Sequence, residues 1–161
     1  MNNKYNTLPY LIATWFKSGL SPKAPGTVGS LCSLPLAWFL IHYWGSLGVG
    51  IGAIFLFLVG WWATHIVLKD KSNGTDPGFV VIDETVGQLL SFIFVAHLPL
   101  DISTYILGFA FFRFFDIIKP WPVSFFDKKI HSAFGVMTDD VCAGLYAAVL
   151  LTLTGNFMFG L

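Results

Sequence analysis

Hydrophobic residues run through this chain in five blocks, residues 31–44, 49–68, 86–98, 102–112 and 141–161, and polar residues gather in the stretches between them. Blocks of this length without strict alternation predict helices rather than half-buried strands. The breaks at 45–48 and 99–101 leave room only for turns, so the first four blocks predict two helical hairpins. The last block predicts a helix that leaves on the far side. Residues 49–68 carry no Asp, Glu, Lys or Arg and meet the ~20 residues that a ~30 Å hydrocarbon core requires. Residues 86–98 fall short of that length and predict a buried or interfacial helix. Helical spacing through 109–118 predicts that the fourth helix continues past its apolar part into a polar cap. The expected fold is all-α: one domain, 1–161, forming a compact multi-pass membrane bundle of four to five membrane-associated helices.

Composition agrees, with 55% hydrophobic, 17% aromatic and only 11% charged residues, against roughly 25% charged in an ordinary soluble domain. A formal net charge of zero gives no electrostatic footprint for nucleic acid. The first 30 residues, punctuated by Pro9, Pro22 and Pro25, do not read as a cleaved signal. Cys32 and Cys142 have no metal-ligand spacing and are expected to be small packed hydrophobes. Trp15, Trp38, Trp44, Trp61, Trp62 and Trp121 fall mostly near predicted helix ends, as an interfacial belt requires.

Charge placement says more than charge content. Threading five alternating segments puts all nine basic residues on one side: Lys4, Lys17, Lys23, Lys69, Lys71, Arg113, Lys119, Lys128 and Lys129. The positive-inside rule makes that side, with the N-terminus, cytoplasmic. Every carboxylate except Asp101 falls there too. Polar loops gathered on the cytoplasmic face describe a one-sided site, whereas a transporter also needs polar groups at mid-depth.

Three stretches carry candidate chemistry. The first is GLSPKAPGTVGS (19–30), whose Gly and Pro turns can aim backbone N–H groups at an anion, with Lys23 as a point charge and Ser21, Thr27 and Ser30 as further donors. An ordinary turn, with Ser30 capping the next helix, accounts for it as well. The second is DPGFVVIDETVG (76–87), where Asp83 and Glu84 open a helix and Gly87 follows Asp83 by one turn. The third runs from 112 to 144. Arg113, Asp116 and Lys119 form one polar stripe there, Asp127 and His131 lie four apart, and Asp139–Asp140 precede Gly144 as Asp83 precedes Gly87.

The two acidic pairs thus read as counterparts, each at a helix start with a glycine one turn on. Packed at those glycines, they would bring up to four carboxylates to one point, a strongly repulsive arrangement without a cation. Asp83, Glu84, Asp139 and Asp140, completed by Asp116 or Asp127, are the expected metal ligands, and an all-oxygen set favours Mg²⁺ with Mn²⁺ as substitute. Lys23, Arg113 and Lys119 beside them imply an anionic substrate; phosphate fits, because Mg²⁺ polarises a phosphoryl oxygen and activates water. His131 is a candidate to protonate the leaving oxygen. His42, His65 and His97, in or beside apolar runs, are not.

With those residues in view, the chain resembles the phosphatidylglycerophosphatase A family. The likeness rests on GLSPKAPGTVGS, DPGFVVIDETVG, FRFFDIIKPWPVSFFD (112–127) and GVMTDDVCAG (135–144) in that order, covering about 19–144. The resemblance implies a bacterial inner-membrane Mg²⁺-dependent phosphatase converting phosphatidylglycerophosphate to phosphatidylglycerol. Its functional residues would map to Asp83, Glu84, Arg113, Asp116, Lys119, Asp127, Asp139 and Asp140. Ser132–Ala133 stand where family members often carry a glycine pair. Rival readings are a divalent-cation carrier and a non-catalytic membrane subunit. The aspartate array of a CDP-alcohol phosphotransferase is missing.

Overall fold

The computed structural model describes residues 3–73, 77–95, 98–129 and 132–160. Its elements are α1 (Leu8–Ala13), α2 (Pro25–Lys69), α3 (Ile82–Leu90), α4 (Ile102–Ile118), α5 (Val123–Lys129) and α6 (Ala133–Phe159), with short 3₁₀ turns between. The architecture is all-α.

The expected first hairpin forms inside α2. Gly45 takes φ 60° and ψ −151°, a conformation almost closed to residues with a Cβ, and the chain doubles back there into arms 25–44 and 46–69. The arms touch near the bend: a Cβ added to Gly52 would sit 2.7 Å from Leu40 Cδ1. Pro25 occupies the first turn of the opening arm, where its missing N–H has no cost. That start lies five residues before Ser30, so Ser30 is not the cap; its hydroxyl donates to the Gly26 carbonyl inside the helix (2.9 Å).

Two further helix limits depart from the hydrophobic blocks. The third helix begins earlier, at Ile82, and ends at Leu90, giving a rod of only ~13 Å. Beyond it residues 91–95 form turns rather than helix. The last helix starts at Ala133, not 141, because the Ser132 side chain accepts the Gly135 N–H (3.3 Å). Asp139 and Asp140 therefore lie two turns inside α6 rather than at its start. By contrast, α4 does extend through Arg113 and Asp116 to Ile118. Asp101 caps its opposite end, accepting the Thr104 N–H at 3.0 Å.

Helix α3 sits in the middle of the bundle, against α2 on one side and α6 on the other. Phe92, Phe112, Ile82, Leu89, Met137 and Leu151 are among the largest fully buried side chains. The N-terminal segment is tied to the end of α2, since the Tyr10 hydroxyl donates to Asp70 (3.0 Å) and Val81 N–H donates to Ala13 O (2.8 Å). Residues 14–24, 70–73, 77–81 and 119–129 thus collect at one end.

The exterior is apolar. Helices α2 and α6 are long and apolar enough to cross a membrane, and only 28% and 33% of their most apolar stretches are buried, unlike core helices of a soluble protein. Trp38, Ile54, Leu58, Trp61, Ile106, Leu153 and Phe157 all point outward. Cys32 is exposed on this surface and Cys142 is half-buried, so Cys32 is not the packed residue that its sequence context predicts.

Candidate metal centre

The carboxylates converge because three helices meet at residues that let them approach. A Cβ on Gly144 would strike the Gly87 backbone, and one on Gly87 would strike the Phe112 ring and the Asp140 carbonyl. Helices α3, α4 and α6 therefore close on Gly87, Phe112 and Gly144. One turn from each toward the loop end stand Asp83, Asp116 and Asp140. Residues four apart share a helix face, so a single close crossing aims all three acids into the same space.

Carboxylate oxygens of Asp83, Glu84 and Asp140 lie within 4.8 Å of one another. Asp83, Asp139 and Asp140 are 8%, 6% and 3% exposed. Asp116 is paired with Arg113 Nη1 at 2.6 Å, and its charge acts on Asp140. Lys119, which ends α4 in a left-handed conformation (φ 49°), donates to Asp139 Oδ2 at 2.9 Å. The other Asp139 oxygen accepts the Asp140 N–H (3.0 Å).

Among the described residues, the five acids of this cluster outnumber Arg113 and Lys119, the two cations paired with them. Burial first, and then the Glu84 charge, holds the Asp83 carboxyl well above the usual carboxylate range. Burial and the Asp140 charge push Glu84 up to about 8. Asp83 Oδ1 and Glu84 Oε2 are buried without a hydrogen-bond partner, as is Arg113 Nε, and orphaned buried oxygens cost stability unless an ion or a water meets them. Clustered, partnerless acid oxygens are the donor set of a hard divalent cation. Such a cation displaces the protons these acids otherwise retain.

The glycine-rich 19–30 stretch contributes through close approach. Gly26, in the first turn of α2, leaves room for the Glu84 carboxylate and the Arg113 guanidinium: an added Cβ would overlap Glu84 Oε1 and lie 3.3 Å from Arg113 Nη1. Arg113 Nη1 also donates to Ser30 Oγ (3.5 Å). Ser30, one of the loop's hydroxyl donors, thus stands beside the site, and Gly26 is a site neighbour that counting donors does not reveal. Ser21 donates to the Lys23 carbonyl within its own turn (2.9 Å). Lys23 is exposed, and Thr27 is half-buried in the first turn of α2.

Asp83, Glu84, Asp116, Asp139, Asp140, Arg113 and Lys119 are therefore brought together. His131 and the Asp127 side chain lie outside the described residues. Because the atoms that Gly26→Ala displaces are the ends of flexible side chains, we expect the variant to fold with a melting point close to wild type. Misplacing the Glu84 carboxylate should reduce turnover roughly 10–10²-fold. Wild-type turnover in that variant would detach Glu84 from the chemistry.

Known proteins share this sequence pattern. Residues 11–154 match the model of the family described as Phosphatidylglycerophosphatase A. The Phosphatidylglycerophosphatase A of Escherichia coli (strain K12) is 37% identical over 152 residues, covering 91% of this chain and 83% of the relative. The Haemophilus influenzae protein of the same name is 41% identical over 146 residues, covering 88% and 85%. A Bacteroides thetaiotaomicron protein provisionally named phosphatidylinositol-3-phosphatase is 37% identical over 151 residues, covering 91% and 92%. No solved structure matches the chain. With a family match across most of its length and relatives of this identity and coverage, the chain belongs to the phosphatidylglycerophosphatase A family.

Proposed function

We infer that this chain is an integral membrane phosphatase that removes the terminal phosphate of phosphatidylglycerophosphate at a Mg²⁺ site, with Mn²⁺ as substitute. The observation that carries the reading is the buried cluster of Asp83, Glu84 and Asp140, with two unpartnered oxygens and two cations at its edge. Asp83, Glu84 and Asp140 would hold the cation, with Asp116, Asp139 and Asp127 available to complete its shell. When bound, the cation offsets the acids' charge and withdraws electron density from the phosphoryl group and the attacking water.

The chain's own groups supply the rest. Arg113 and Lys119, oriented by Asp116 and Asp139, present N–H donors to phosphate oxygens and offset charge as the P–O bond to glycerol breaks. Lys23, with no side-chain partner among the described residues, is free to swing toward the same phosphate, flanked by Ser21 and Thr27. His131 is the candidate proton donor to the departing oxygen. The apolar exterior supports a bacterial inner-membrane bundle of four to five membrane-associated helices, with the site and N-terminus on the cytoplasmic side. The substrate's tails then stay in lipid.

A cation carrier is disfavoured by Arg113 and Lys119, which stand at the acids and repel an ion in transit. The test is phosphate release by purified protein in mixed micelles. We expect release from phosphatidylglycerophosphate with Mg²⁺, none after chelation, and little from glycerol phosphate, which lacks acyl chains worth ~0.8 kcal/mol per buried CH₂. Metal-independent release would refute the metal site. Equal turnover of glycerol phosphate would refute the lipid-anchored substrate.

A further inference from the structure

Beside the acidic cluster a groove of about 330 Å³ runs along the outside of the bundle, walled by Ile54 and Leu58 of α2, Val86 and Leu90 of α3, and Val141 and Leu145 of α6. Thr138 is the one hydroxyl in its wall, and that hydroxyl donates to the Phe134 carbonyl of its own helix (2.6 Å). Among the described residues the wall offers a ligand no free hydrogen-bond donor. The groove opens sideways, with Ile54 64% and Leu145 40% exposed. Its loop end is bounded by Phe134, whose ring meets Phe57 and Trp61 edge-on at 6.0 and 5.9 Å.

We propose that this groove holds one acyl chain of the lipid whose phosphate is cleaved at the acidic cluster, an inference that rests on the lipid-phosphatase reading above. On α3, Asp83, Val86 and Leu90 follow at three- and four-residue spacing and share a face, so the groove floor leads directly to a carboxylate of the centre. On α6, Val141 immediately follows Asp140. A second apolar cavity, of about 400 Å³, lies at the α2 bend between Leu40, Trp44, Ile51 and Phe55. It has similar chemistry but shares no helix stripe with an acid, so it marks ordinary lipid contact and serves as an internal control.

Ile54→Trp and Leu145→Trp start from exposed positions and fill the groove, whereas Ile51→Trp crowds the bend. Each protein is assayed with long-chain and dihexanoyl phosphatidylglycerophosphate in detergent with Mg²⁺. We expect the groove variants to raise KM for the long-chain lipid about tenfold while kcat and dihexanoyl turnover stay within about twofold of wild type. The bend variant should match wild type. Preserved dihexanoyl turnover reports that the groove variants are folded. Equal losses on both lipids, no loss on either, or the same loss from Ile51→Trp would overturn the groove assignment while leaving the phosphatase reading intact. A wild-type protein inactive on both lipids would remove the phosphatase reading, and the groove with it.

Discussion

Replacing Asp83 or Asp140 with asparagine should lower phosphatidylglycerophosphate turnover by roughly 10²–10³-fold, the scale of deleting one well-placed electrostatic group, while leaving the protein folded. Asparagine keeps the shape of the side chain and removes the charge. In metal-free protein a neutral amide carries no charge to desolvate at positions where the acids are 3–8% exposed, so the melting temperature in detergent should hold or rise. A structural acid would behave in the opposite way, with stability falling and activity following it. Kinetics and melting of the same preparations separate the two cases, and near-normal turnover in both variants would remove these residues from the centre.

The second large effect concerns the crossing that aims the acids. Gly144→Ala places a Cβ against the Gly87 carbonyl, with Gly87 Cα at 2.9 Å, and backbone on both sides cannot yield as a side-chain tip does. We expect a loss of roughly 1–3 kcal/mol, and more for Gly144→Val. Gly78→Ala, whose Cβ meets nothing within 4 Å, is the control. Melting curves that do not distinguish Gly144→Val from Gly78→Ala would contradict the α3–α6 contact on which the site depends.

Much of this architecture is legible in the amino-acid sequence. The spacing of Asp83 to Gly87 and of Asp140 to Gly144 predicts two helices meeting at glycines with acids one turn away, and the helices do meet there. The α2 hairpin is legible from the Gly-Ser-Leu-Gly break, 45–48, between two apolar runs. Helix starts are less accessible. Residues 133–140 are interrupted by Gly135 and end in Thr-Asp-Asp, yet the Ser132 cap and the buried Met137 carry the helix through them, which puts Asp139 and Asp140 inside a helix. Hydrophobicity marks where a helix is buried rather than where it begins, and at α3 and α6 the two differ by four to eight residues. Gly26 is hidden for another reason: its role is to leave space for Glu84 and Arg113 from distant segments, and local sequence carries no trace of that neighbour.

The central claim, that these acids form one divalent-cation site, is tested most directly by Mn²⁺ binding to the purified protein in detergent, followed through loss of the free-ion paramagnetic resonance signal. Wild type should bind Mn²⁺ in competition with Mg²⁺, more tightly as pH rises toward the value of about 8 at which Glu84 gives up its proton. Asp83→Asn and Asp140→Asn should each lose that binding. Undiminished, pH-independent binding in both variants would contradict the account.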